Sequence, residues 1–361
     1  MKSKYFIRNF EADKYIEIFL VSAVFAVLAI RLFLRLTDYP QIGSDQLHIA
    51  HILWGGLLML ASIISLLFFL SKRAMIWSSL LGGLGFGTFI DEIGKFVTKD
   101  NNYFYEPAVS LIYITFVLIL IAVNTIETRW RRTSEEYLIN AVNELKGIPI
   151  DDLDEYERKR ALSYLKKSGY DSDFAVTLRN IIENTVAIPL PRPGFYTRLK
   201  RFMIEKYEWI TSFKFFNIGL IVFFTLQFLA TLTYIVALTF LFGIGWEKLK
   251  GINAVREVNG QLMTLSFIEL AELFSSIVSG FLIVAGVYLL SKSRLRAYDM
   301  FKRSVLVSIF LTHVFIFYKE QFSAMTGLIF NILVLIALEF MIEREKERRM
   351  KENRKLHEFH N

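Results

Sequence analysis

Leu47-His48-Ile49-Ala50-His51-Ile52-Leu53-Trp54-Gly55-Gly56-Leu57-Leu58-Met59-Leu60-Ala61-Ser62-Ile63-Ile64-Ser65-Leu66-Leu67-Phe68-Phe69-Leu70 contains no Lys, Arg, Asp or Glu. An α-helix needs about 20 such residues to cross the hydrocarbon of a bilayer. The stretch therefore reads as a transmembrane helix, closed by Lys72-Arg73 and carrying two histidines at its opposite end. Inside a membrane only helices and closed barrels satisfy every backbone polar group, and a run this long specifies a helix.

The same reading extends along the chain. With 361 residues, 54% of them hydrophobic, and a mean hydropathy of +0.40, the composition is that of a polytopic membrane protein. Eight spans are expected, at about 15–36, 47–70, 74–97, 107–126, 213–243, 262–290, 303–319 and 322–342. They group into two four-span halves, residues 1–126 and 213–342, on either side of a polar insert at 127–212, with a charged tail at 343–361. The fold class is thus all-α integral membrane, about eight transmembrane helices with a small helical insert.

Basic loops set the orientation. Lys72-Arg73, Arg129 to Arg132, Lys292 to Lys302 and the tail fall on one side when the spans alternate. The positive-inside rule makes that side cytoplasmic, together with both termini of a multi-pass protein of the cell membrane. The formal charge of +7 is accounted for by these loops and calls for no nucleic acid. Cysteine is absent, which excludes disulfides, thiolate metal sites and cysteine nucleophiles. No cleavable signal peptide is expected, and the first span reads as an uncleaved anchor.

In the insert, Asp154 to Lys167 and Asp173 to Thr185 read as a helical hairpin broken at Ser168-Gly169. Pro189, Pro191 and Pro193 then interrupt helix formation. The basic, aromatic stretch 196–214 reads as a helix lying on the anionic lipids of the inner leaflet. The two halves also show a faint parallel repeat. Leu70-Ser71-Lys72 matches Leu290-Ser291-Lys292, and Leu111-Ile112-Tyr113 matches Leu328-Ile329-Phe330.

Ionisable residues within apolar runs are functional candidates because a charge there is costly. Seven stand out: His48, His51, Asp91, Glu92, Glu269, Glu272 and His313. His48 and His51 share a helix face at a spacing of three, as do Glu269 and Glu272, and the repeat sets the two pairs opposite one another. All seven fall in the outer half of the bilayer. His48, His51, Asp91, Glu269 and His313 are the candidate ligands of a divalent metal (zinc, iron or manganese), with Glu92 or Glu272 as the catalytic base on metal-bound water. Asp91 and Lys95, four apart, are expected to form an intrahelical ion pair, leaving Glu92 without a local partner. Gly82-Gly83-Leu84-Gly85-Phe86-Gly87 allows neighbouring helices to approach closely.

The motifs His48-x-x-His51-x-Leu53-Trp54-Gly55-Gly56, Gly85-Phe86-Gly87-x-Phe89-Ile90-Asp91-Glu92-x-Gly94-Lys95-Phe96-Val97-Thr98 and Asp100-Asn-Asn-Tyr103-Phe-Tyr-Glu-Pro107 resemble those of a recurring group of uncharacterised prokaryotic multi-pass membrane proteins. The resemblance covers residues 30–126 and implies an architecture, with no activity attached. Three functions stay open. One is a metal-dependent enzyme acting on a lipid-like substrate. The others are a proton or divalent-cation transporter or channel, and a sensor coupling the site to the insert. Membrane lipids are the expected partners, and the same seven side chains also admit a metal-free polar site or plain structural pairing.

Overall fold

The structure, a computed structural model, describes residues 6–37, 43–44, 47–48, 51–98, 105, 107–129, 132–150, 152–189, 194–213, 215–216, 218–227, 229, 233 and 266–358. The fold is all-α. Among the described residues, extended pairing is limited to the two-residue strands Gly43–Ser44 and Leu47–His48 and one Asp154–Ile188 bridge. Among the described residues, five helical stretches are long and apolar enough to cross a membrane: Ala12–Leu36, His51–Phe68, Ala108–Ile126, Phe267–Leu290 and Arg294–Arg348. The expected span 213–243 is only partly described, with Ile218–Gln227 a short apolar helix within it.

The chain divides into two compact units, residues 1–105 with 115–193, and residues 106–114 with 194–361. This partition differs from the insert boundaries read in the sequence. Residues 127–193 belong to the first unit, and 194–212 belong to the second.

In the first unit, α1 (Ala12–Leu36), α2 (His51–Phe68) and α3 (Lys72–Asp91) pack together, with α3 touching both of the others. The packing is inverted relative to a water-soluble protein. Ser22, Ala23, Ala26, Ser62, Gly83 and Gly85 are buried, while Phe25, Leu32, Leu60, Ile63 and Leu67 are exposed, as befits helices solvated by lipid. The glycine run acts on both faces of α3. A Cβ on Gly83 or Gly87 would sit 2.2 Å from the carbonyl oxygen of Phe19 or Ala23 on α1. One on Gly85 would sit 2.7 Å from the Gly55 oxygen on α2. α3 itself is not among the apolar five, because glycine and serine replace the aliphatic side chains that such close approach forbids.

The expected span 74–97 is not one helix. α3 ends at Asp91, Glu92 takes φ −87° and ψ 7°, and a short α4 (Ile93–Val97) follows. Next comes α5 (Ala108–Arg129), and then the insert helices α6 (Ser134–Glu144), α7 (Glu155–Ser168) and α8 (Asp173–Asn184). Local signals set their ends. Thr133 with Glu136, and Asp154 with Glu157, form capping boxes, and Gly169 takes the left-handed φ of 68° that stops α7. Ala141, Ala161, Leu165, Leu178 and Ile182 form the insert's own core.

The second unit contains α9 (Phe195–Ser212), the helix Phe267–Leu290, and a long helical stretch from Arg294. That stretch doubles back. Gln321 has φ 50°, and beyond the turn Glu339 pairs with Lys302 at 2.8 Å while Asn331 Nδ2 donates to Ser308 Oγ at 3.1 Å. Its core is built on Phe224 stacked upon Phe301 at 4.4 Å, with Ile283, Ala337 and Leu338.

A buried ion network as the candidate functional site

Helix α3 ends on two acidic residues, and both are fully buried. Asp91 and Glu92 are each 0% exposed, a placement that is tolerable for carboxylates only when every oxygen finds a donor. Each does. Arg31 of α1 brings Nε to within 2.5 Å of Asp91 Oδ1, and its Nη2 donates to the Asp91 carbonyl at 3.0 Å. His51, the first residue of α2, lies with Nε2 3.2 Å from Asp91 Oδ2. A carboxylate can only accept, so Nε2 carries the proton of that bond.

Glu92 is held by two further donors. Lys95 Nζ reaches Oε1 at 2.5 Å, and the backbone N–H of Ile52 donates to Oε2 at 2.8 Å. Glu92 thereby caps the open N-terminus of α2 from a neighbouring helix, where negative charge complements the helix dipole. The His51 Nδ1 lies 3.7 Å from Glu92 Oε1, too far for a hydrogen bond but close enough to feel its charge.

The expected partnering of these residues is corrected in two respects. Lys95 grips Glu92, and Asp91 takes Arg31, because the break at Glu92 turns α4 out of register with α3. Glu92 is therefore well partnered.

Among the described residues, two cations and two carboxylates meet here around His51, whose side chain is 25% exposed. Imidazole is the side-chain type that changes charge near physiological pH. All four carboxylate oxygens already accept a hydrogen bond, so a metal would have to displace Arg31 or Lys95 to bind here. Among the described residues no group of three or more His, Asp or Glu side chains is disposed to hold a metal ion. His48 lies in the strand Leu47–His48, with its side chain outside the described residues.

Glu269, Glu272 and His313 belong to the second unit. Glu269 completes a capping box with Ser266, whose N–H and Oγ donate to Oε2 at 2.8 and 2.9 Å. Glu272 pairs with Lys319 at 3.1 Å. His313 follows a π-helical turn, Ser308–Thr312, with Nδ1 3.1 Å from the Ser308 carbonyl and Nε2 buried without a hydrogen-bond partner among the described residues.

A second charged cluster, unread in the sequence, sits at the other ends of α1 and α3. Lys72, the first residue of α3, contacts Glu144 of α6 at 2.9 Å and Glu157 of α7 at 2.6 Å. Arg160 of α7 contacts Glu144 at 2.6 Å and Glu11, at the start of α1, at 2.8 Å. Arg8 holds Glu136 of α6 at 2.6 Å. The hydrogen bond from Arg8 outweighs burial and lowers the Glu136 carboxyl to about 2. Burial alone would lower the Arg160 pKa, but the hydrogen bond to Glu144 offsets this and leaves it raised. In the sequence Lys72 reads as a topology signal, and Asp154-x-x-Glu157 is a local capping pattern, but no local signal announces the long-range partners of Lys72, Glu144 and Arg160.

Compared with protein-family models, with curated proteins and with solved structures, the chain matches none.

Proposed function

We propose that the chain is a membrane sensor in which the Arg31–Asp91–His51–Glu92–Lys95 network is coupled to the helical insert through α1 and α3. One observation carries this reading: the same two helices bear both charged clusters at their opposite ends, locked together backbone to backbone by Gly83 and Gly87. From Glu11 to Arg31, and from Lys72 to Asp91, a helix rises about 30 Å, the thickness of a bilayer's hydrocarbon. Both helices hold members of that network, and His51 brings to it the side-chain type that answers to pH near neutrality. Glu92 adds a second lever, since it caps α2.

In the full reading the protein has eight spans in two parallel four-span halves. The network lies toward the outer side of the cell membrane, and the insert and both termini are cytoplasmic. The metal-assisted enzyme is the weaker reading, because each carboxylate oxygen of Asp91 and Glu92 already has a protein donor.

The chain has no cysteine, so a single Phe174→Cys substitution on exposed α8 gives a clean fluorescent reporter in proteoliposomes. A step in external pH is expected to change the signal in this protein and to leave it flat when His51→Gln is added. Proton or cation flux without a reporter change would mean a transporter. Stoichiometric metal that is lost on His48→Ala/His51→Ala would mean a metalloenzyme.

A further inference from the structure

We infer that α9 is a lipid-reading helix whose apolar face lies in a bilayer surface and whose basic flanks select anionic headgroups. At about 3.6 residues per turn, Leu199, Phe202, Met203, Trp209, Ile210 and Phe213 fall on one arc of the helix. All six are exposed, with Met203 at 61% and Trp209 at 60%, so the chain itself leaves this arc uncovered.

Charge is distributed about that arc in a particular way. Arg198 and Lys200 lie beyond its two edges, Glu205 lies next to Arg198, and Arg201 and Glu208 lie on the opposite face. Lys206 falls within the arc and lies over the Phe202 and Trp209 rings at 5.6 and 6.0 Å. Long basic side chains on the flanks of an apolar stripe can bury their stems and reach phosphates with their charged ends.

The helix is also fixed along one side, next to the Met203 and Ile210 edge of the arc. Tyr207 donates its hydroxyl to the Leu333 carbonyl at 2.5 Å, and Arg344 donates to the Thr211 and Glu208 carbonyls at 2.8 Å each. Arg344 thus satisfies the C-terminal carbonyls and complements the dipole, and Thr211 on that side is fully buried. One side is tethered to the protein and the arc beside it is presented, apolar, with Lys206 within it and Arg198 and Lys200 beyond its edges. An anionic bilayer surface matches it in both respects.

The test uses single-cysteine spin labels on the full chain in vesicles, at Met203→Cys and Ile210→Cys on the arc and Arg201→Cys opposite. Relaxation by lipid-soluble oxygen is expected at the first two labels, and relaxation by a water-soluble nickel chelate at the third. With mixed phosphatidylcholine and phosphatidylglycerol, the anionic lipid is expected to be enriched around the Met203 label. The Arg198→Gln/Lys200→Gln/Lys206→Gln variant should lose that enrichment severalfold. Equal access of nickel to all three labels would overturn the inference. So would labels on the arc shielded from both relaxants, which would put a second copy or another protein there. Burial in lipid with no preference for phosphatidylglycerol would overturn the anionic selection.

Discussion

The two ends of the α1–α3 pair are built from the same kinds of residue and differ in what can change. At the insert end, Glu11, Glu144 and Glu157 are held by Lys72 and Arg160, with Arg8 and Glu136 alongside and no histidine among them. At the far end, Asp91 and Glu92 are balanced by Arg31 and Lys95, and a partly exposed histidine is added. The first is a fixed clamp and the second an adjustable one. In the proposed sensor the two clamps are joined by the close approach of α3 to α1 at Gly83 and Gly87.

The largest expected effect comes from unbalancing the adjustable end. Asp91→Ala leaves the Arg31 guanidinium without its carboxylate and is expected to destabilise the detergent-solubilised protein by roughly 3–5 kcal/mol in thermal unfolding. Adding Arg31→Met should recover part of that loss; no recovery would mean that the pairing is incidental.

Next is the fixed end. Arg160→Ala removes donors from Glu144 and Glu11, and about 1.5–3 kcal/mol is expected to go with them. Limited proteolysis should then cut within 134–184 while the spans stay intact, and an insert of unchanged resistance would contradict the clamp. Gly83→Ala forces a Cβ to within 2.2 Å of the Phe19 carbonyl oxygen, so an overpacking loss of about 1–3 kcal/mol is expected.

A pH effect is expected at the fixed end too. The Glu136 carboxyl lies at about 2 against 4.5 unperturbed, so its pair with Arg8 contributes fully above pH 4.5. That contribution is lost as the pH falls toward 2. Glu136→Gln should flatten insert stability across that window and leave it unchanged in shape above it. The smallest effect is local. Glu269→Ala breaks only a capping box and is expected to lose about 0.5–2 kcal/mol in the second unit, with no change in amide exchange of α1 or α3.

What was legible in the sequence follows the range of the forces involved. Hydrophobic length marks α1, α2, α5 and Phe267–Leu290 directly, since solvation by lipid acts residue by residue. The glycine run announces close approach, and Gly169 announces the hairpin break. Ser266-x-x-Glu269 is itself a capping-box pattern, which outweighs a ligand reading for Glu269. By contrast, Arg31 finds Asp91 sixty residues away, and Arg160 finds Glu11 across 149, and no periodicity encodes either choice. The helix break at Glu92 is hidden for the same reason. It is set by carboxylates turning toward Arg31, Lys95 and the start of α2 rather than by any local stop signal.

The most direct test of the account is a double-mutant cycle across the α1–α3 pair, Asp91→Asn with Arg160→Gln, read as unfolding free energy in lipid nanodiscs. Sites this far apart and without shared partners normally add to within about 0.3–0.5 kcal/mol. Coupled clamps predict a clear departure from additivity, one that shrinks when Gly83→Ala loosens the connector. Simple additivity in both backgrounds would contradict the coupling and leave two independent ion networks.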